Sequence, residues 1–108
     1  MAHLWKTVKR MEVKYESDSL ERLEKDATYN AGYDGAIVKS FRMRIQLIRA
    51  AVDERAFYSL KSLHFEKLRG DRLGQHSMRL NSQWRLIIKF KKTDSGKLVV
   101  VISISDYH

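Results

Sequence analysis

Between Leu63 and Phe90 the chain gathers residue types that hold phosphate and move protons: His64, Lys67, Arg69, Arg72, His76, Arg79, Asn81, Arg85 and Lys89. A second group, Asp106-Tyr107-His108, closes the sequence. Arginine can clamp a phosphate with two parallel hydrogen bonds, which makes Arg79 and Arg85 natural anion holders. His64, His76, Lys67, Asp106, Tyr107 and His108 are the proton-transfer groups on offer. Cleaving an RNA strand without a metal needs this set. A base takes the ribose 2′-OH proton, cations hold the phosphate as charge builds, and an acid protonates the leaving 5′-oxygen.

Other chemistries lack their residues. There is no cysteine, which removes disulfides, thiolate zinc sites and cysteine nucleophiles, and suits a reducing cytoplasm. No G-x-x-x-x-G-K-[ST] loop, dinucleotide fingerprint or H-E-x-x-H is present. The four histidines (His3, His64, His76, His108) show no metal-ligand spacing, so no metal and no other cofactor is expected. No signal peptide is evident, and the longest apolar run, Leu98 to Ile102, is too short to span a bilayer.

The 108 residues suit one domain, and 44% hydrophobic residues suffice for its core. A single domain over residues 11–108 is expected, with 1–10 as an extension without pattern. The net charge of +8 is uneven. From Gly35 onward 15 Lys and Arg face 6 Asp and Glu, a balance of +9, whereas the first 34 residues balance at −1. A basic domain points to nucleic acid or another polyanion as partner.

The elements that must position these groups can be read in order. Glu12 to Glu16 alternates as a short strand with Val13 and Tyr15 on one face. Ser17-Asp18-Ser19 offers N-caps, and Leu20, Leu23 and Ala27 set a helix to about Tyr29. Ile37, Phe41, Ile45 and Ile48 mark a second helix from about Ala36 to Val52. Its Lys39, Arg42, Arg44 and Arg49 lie off the apolar stripe and read as a solvated face. Leu63 to Gly74 reads as loop or a short strand. Gln75 to Asn81, Trp84 to Phe90 and Leu98 to Ser105 read as strands joined by turns at Ser82-Gln83 and at 92–96. The expectation is an α+β fold: an N-terminal strand, two helices, then a three-stranded antiparallel meander, forming one sheet with helices on one face.

Alternation assigns the faces. Met78, Leu80, Trp84, Leu86, Ile88, Ile102 and Ile104 should pack inward. Ser77, Arg79, Asn81, Arg85, Lys89, Ser103, Ser105 and Tyr107 should share the open face, with Ile87, Val99 and Val101 breaking its polarity. His76 falls in the inward register of Met78.

Gly70-Asp71-Arg72, Gln75-His76-Ser77-Met78-Arg79-Leu80-Asn81, Gln83-Trp84-Arg85-Leu86 and Asp106-Tyr107-His108 closely resemble HigB toxins of the RelE/ParE superfamily of type II toxin–antitoxin systems. The likeness runs from about Val13 to His108. It implies a RelE-like, microbial-RNase-like fold, ribosome-dependent mRNA cleavage in the A site, and neutralisation by a HigA-like helix-turn-helix antitoxin. DNA would then be met only through the antitoxin complex, and no membrane is involved. The resemblance places Arg85 and Tyr107 on the active surface, with Asp106 and His108 beside them. Some members carry an arginine where this chain has Asn81; Arg79 can substitute. Either His64 and Lys67 fill the family's histidine and lysine places, or Arg69 takes the lysine place, so the base stays unassigned. Arg69, Arg72, Arg79, Asn81 and Lys89 are the expected RNA- and phosphate-binding residues. Two other readings are a ParE-like gyrase poison and a basic binding module without chemistry.

Overall fold

The computed structural model describes residues 10–94 and 96–106, so the expectations on Tyr107, His108 and most of the N-terminal extension fall outside the described residues. Strand β1 (Glu12–Tyr15) is followed by α1 (Asp18–Lys25), α2 (Gly35–Ala50) and the short α3 (Arg55–Tyr58). Then come β2 (Glu66–Lys67), β3 (Gln75–Arg79), β4 (Trp84–Thr93) and β5 (Gly96–Asp106). The expected meander is β3-β4-β5, but the sheet is larger: five strands in the order β1-β5-β4-β3-β2. β1 lies parallel to β5, with Val13 beside Val99 and Tyr15 beside Val101, and β2 extends the other edge antiparallel to β3. Among the described residues no helix is long and apolar enough to cross a membrane.

Both main helices stop earlier than their apolar spacing predicts. Ser17 caps α1 as expected, its hydroxyl accepting from the Leu20 N–H at 3.1 Å. The helix ends at Lys25 because Asp26 turns its carboxylate onto the N–H and hydroxyl of Thr28, at 2.9 and 2.7 Å. Such local bonding competes with a helix. Ala27 therefore lies outside α1. α2 ends at Ala50, where Ala51 turns extended.

The arginines of α2 are not the solvated face that their position off the stripe suggested. Arg42 donates to the carbonyls of Leu23, Asp26 and Tyr29 at 2.9, 3.0 and 3.2 Å, tying α2 to the last turn of α1 and the loop that follows it. Arg49 pairs with Glu24 through two hydrogen bonds of 2.9 and 2.8 Å. The Tyr15 hydroxyl donates to the same carboxylate, tying β1, α1 and α2 together.

The core lies between the helices and one face of the sheet. Leu23, Phe41, Ile45, Ile48, Met78, Leu86, Ile88, Val99 and Val101 are fully buried there, each aliphatic or aromatic side chain contributing about 1.5 to 3 kcal/mol by its transfer from water. Here β5 corrects the expected faces. β4 and β5 slip register between Ile87 and Ile88: Ile87 faces Ser103, but Ile88 faces Val101. Ile102 is the extra residue of a bulge, and alternation inverts across it. Val99 and Val101 consequently point into the core rather than to the open face, and Ile102 is not part of the core cluster. Leu98 and Val100 take the expected place of Val99 and Val101 on the far side, in register with Lys91 and Lys89.

Candidate active site

On the sheet face away from α2, β3 and β4 bring Arg79 and Arg85 directly opposite each other. Directly opposed residues leave a sheet on the same face, so the two guanidinium groups start from one point. The expected face is thus correct, but the expected exposure of Arg85 is not. Arg85 is only 7% exposed. Its Nε donates to the hydroxyl of fully buried Ser77 at 2.8 Å, and its Nη2 donates to the His64 carbonyl. The Glu66 carboxylate stands 3.7 Å from the same Nη2. A desolvated cation is tolerated only with such partners.

The segment before β3 supplies them. Leu63 and Phe65 are buried, which pins the chain on both sides of His64. His64 bridges them in the left-handed region at φ 45°, a conformation histidine tolerates better than most residues. This bend aims its carbonyl at Arg85 and leaves its ring exposed, with Nε2 3.4 Å from Arg79 Nη1. Facing a guanidinium N–H, that nitrogen acts as acceptor. Arg79 also donates from Nε to the Asn81 carbonyl at 3.1 Å.

Two hollows open on either side of Arg85. The first, about 230 Å³, is lined by His64, Glu66, Arg79, Asn81, Ser82 and Arg85. The second, about 330 Å³, is lined by Leu68, Arg72, Ser77, Arg85, Ile87, Ser105 and Asp106. Arg72 reaches it from the Gly70–Arg72 turn, which left-handed glycines at 70 and 74 bracket. Asp106 is held at the rim by Gln83 Nε2, which donates to its carboxylate at 3.1 Å.

The structure therefore brings together Arg85, Arg79, His64 and Asn81 in one hollow and Arg72 and Asp106 in the other. It does not bring Lys67, Arg69 or Lys89 into either. Lys67 stands opposite His76 on β3, on the face turned away from the hollows. Arg69 is exposed beyond both. Lys89, four residues along β4 from Arg85, pairs with Glu16 at 3.4 Å. Glu66 was missed by sequence reading. Its two-residue strand is too short for alternation to reveal, and only its place two residues after His64 hinted at a shared face. Ser77 was placed on the correct face but not recognised as the hydroxyl that holds Arg85.

His76 lies apart, as its inward register indicated. It stacks on Phe65 at 5.1 Å and meets Phe90 edge-on at 5.1 Å. Its Nδ1 is buried without a hydrogen-bond partner among the described residues. Burial, with Lys67 beside it, holds the imidazole below its ordinary 6.5. The fold thus favours neutral His76, so the unfolded chain binds the proton first as pH falls. Stability is fully present above about pH 6.5 and declines below it, down to the lower pKa of the folded state. Thermal melts from about pH 7 to pH 5 should show Tm falling, and His76→Phe should flatten that slope. An equal slope in the variant would assign the acid sensitivity elsewhere.

Comparison with known proteins decides the family. The family model for the RelE-like toxin of type II toxin-antitoxin system HigB matches residues 13–108. The chain belongs to the HigB-like toxins. No curated protein matches it. Among solved structures, the YoeB/ParE toxin from Agrobacterium tumefaciens superposes with TM-score 0.61 at 17% identity, covering 91% of this chain and 100% of that one. A heterotetrameric YoeB–YefM toxin–antitoxin complex from Staphylococcus aureus gives 0.54 at 21% identity, covering 93% and 99%. YafQ from E. coli gives 0.52 at 16% identity, covering 90% and 93%. At these identities the likeness establishes that this HigB-like chain has the α+β fold of the RelE-like toxins.

Proposed function

We propose that this HigB-like toxin is a ribosome-dependent endoribonuclease that cuts mRNA in the A site and so inhibits translation. The observation that carries this reading is the first hollow. Two opposed arginines share it with an imidazole and a carboxylate, in a chain of the RelE-like toxin family. In this reading residues 11–108 form one toxin domain acting in the cytoplasm, and residues 1–10 are an extension.

The scissile phosphate sits against Arg79 and Arg85. Arg79 has N–H groups turned to the hollow, while buried Arg85 supplies a fixed positive charge in a partly dry site, where charge acts most strongly. Glu66 takes the 2′-OH proton, and the 2′-oxygen attacks the neighbouring phosphorus. The bond from phosphorus to the 5′-oxygen breaks, leaving a 2′,3′-cyclic phosphate and a 5′-hydroxyl. An acid of the Asp106-Tyr107-His108 group, which the resemblance puts at the active surface, gives its proton to that 5′-oxygen. His64 orients the nucleotide beside Arg79. Asn81 and Arg72 contact the phosphates either side, and Lys67, Arg69 and Lys89 attract the rest of the strand. A HigA-like helix-turn-helix antitoxin neutralises the toxin, and DNA is bound only through that complex.

Primer extension on an mRNA in a purified translation system tests this. Codon-phased cuts should appear on translated message and be absent from the same RNA without ribosomes. Intact message at toxin concentrations that arrest translation would overturn the proposal.

A further inference from the structure

The end of the β3–β4 hairpin, which carries Arg79 and Asn81, has an irregular ladder that is completed from the far side of the sheet. The Leu80 N–H donates to the Trp84 carbonyl at 2.9 Å. A regular antiparallel pair would return the Trp84 N–H to the Leu80 carbonyl. Here the Trp84 N–H goes to Asn81 Oδ1 at 2.7 Å, alongside the Gln83 N–H at 2.8 Å. The Leu80 carbonyl, on a residue 6% exposed, is met instead by the Ser40 hydroxyl of α2 at 2.8 Å. One residue earlier, Arg44 Nε of α2 donates to the Arg79 carbonyl at 3.0 Å. β2 pairs with β3 only as far as Ser77, so Arg79 lies past the end of that ladder.

Ser40 and Arg44 are four residues apart and so lie on one face of α2. The helix grips two consecutive carbonyls with them. Arg44 is costly to place there. It is half-buried, desolvation pulls its guanidinium below the ordinary arginine value, and among the described residues no carboxylate pairs with it. On the other side of the sheet the Arg79 side chain is tied to the same short backbone through the Asn81 carbonyl, and its far end meets the His64 ring from the segment before β2. Where residues 79–81 stand, the guanidinium follows.

We infer that Ser40 and Arg44 are positioning residues: acting through the carbonyls of Leu80 and Arg79, they set where the Arg79 guanidinium stands in the hollow. Neither side chain lines the hollow itself. The activity part of the test rests on the proposed RNA cleavage; the structural part does not.

Arg44→Met keeps the bulk and removes the donor. Its cleavage of translated message should fall about tenfold, since small misplacements of a charge holder cost rate steeply. The loss should be in kcat, with KM within about twofold. In NMR spectra the Arg79 Nε–H proton should exchange faster with water. Added to Arg79→Ala, the substitution should cost nothing more, because both act through one group. Arg44→Lys, which can reach the same carbonyl, should recover most of the loss, and Ser40→Ala should show a smaller one. If Arg44→Met does not fold, Ser40→Ala, alone and combined with Arg79→Ala, carries the same comparisons. Unchanged Arg79 exchange, or losses that multiply in the Arg44–Arg79 double variant, would overturn the inference. Should the unaltered toxin cut no message, the proposed function fails, and Arg79 exchange alone decides the positioning.

Discussion

Arg85→Ala should lower mRNA cleavage by about a hundred- to a thousandfold and also lower Tm by about 10 °C. The first effect follows from removing a preorganised charge beside the phosphate. The second follows from burial. Ser77 is fully buried and its hydroxyl accepts from Arg85 Nε, while the His64 carbonyl accepts from Nη2. Truncation strands these partners in a partly dry site, at about 2 kcal/mol, which for a domain of this size corresponds to the stated drop. The Glu66 ion pair adds little, because Glu66 is nearly half exposed and its charge is screened.

Arg79→Ala separates the two roles. Its contacts, to the Asn81 carbonyl and the His64 ring, lie at the exposed mouth of the hollow. Cleavage should fall comparably, with Tm within a few degrees of the parent, as for surface changes generally. Arg85→Lys retains a cation but cannot reach Ser77 and His64 in the same fork, so it should recover charge without full geometry. Primer extension and thermal melts on the three variants make the comparison. An Arg85→Ala protein that melts like the parent would show that Arg85 is not the structural cation its burial indicates.

Much of this site is legible in the order of the residues alone. Alternation over Ser77–Asn81 and Trp84–Phe90 places Arg79 and Arg85 on one face and Met78, Leu86 and Ile88 on the other, as the strand pairing shows. The G-D-R and W-R segments with the terminal D-Y-H carry the resemblance that the family match supports. Alternation fails on β5, because a single bulge at Ile102 inverts every face on one side of it and leaves no mark in residue type. It also cannot find β2, since two residues have no period. Side-chain chemistry is the harder limit. An arginine off an apolar stripe looks the same whether water or a carbonyl will meet it. Arg42, Arg44 and Arg49 thus read as solvent-facing, although each is spent on backbone or carboxylate. Arg85 shows the same limit in reverse: its face is readable, its burial is not.

The base is where the structure adds most to the sequence, and Glu66→Gln decides it. Of the described residues lining the first hollow, Glu66 alone carries a carboxylate, and it faces the cation that would hold the phosphate. In the proposed mechanism a phosphate held by Arg79 and Arg85 would bring the adjoining 2′-OH toward Glu66 and compete with Glu66 for Arg85. Gln keeps the size and polarity but cannot take the proton. Single-turnover cleavage should fall about a hundred- to ten-thousandfold, with binding to the ribosome and Tm nearly unchanged. His64→Ala leaves its backbone carbonyl to Arg85, so it should cost less, through looser seating of Arg79. If instead Glu66→Gln cuts at the parental rate while His64→Ala does not, the imidazole is the base. Glu66 is then a counterion that the incoming phosphate displaces, and neutralising it should tighten RNA binding rather than leave it unchanged.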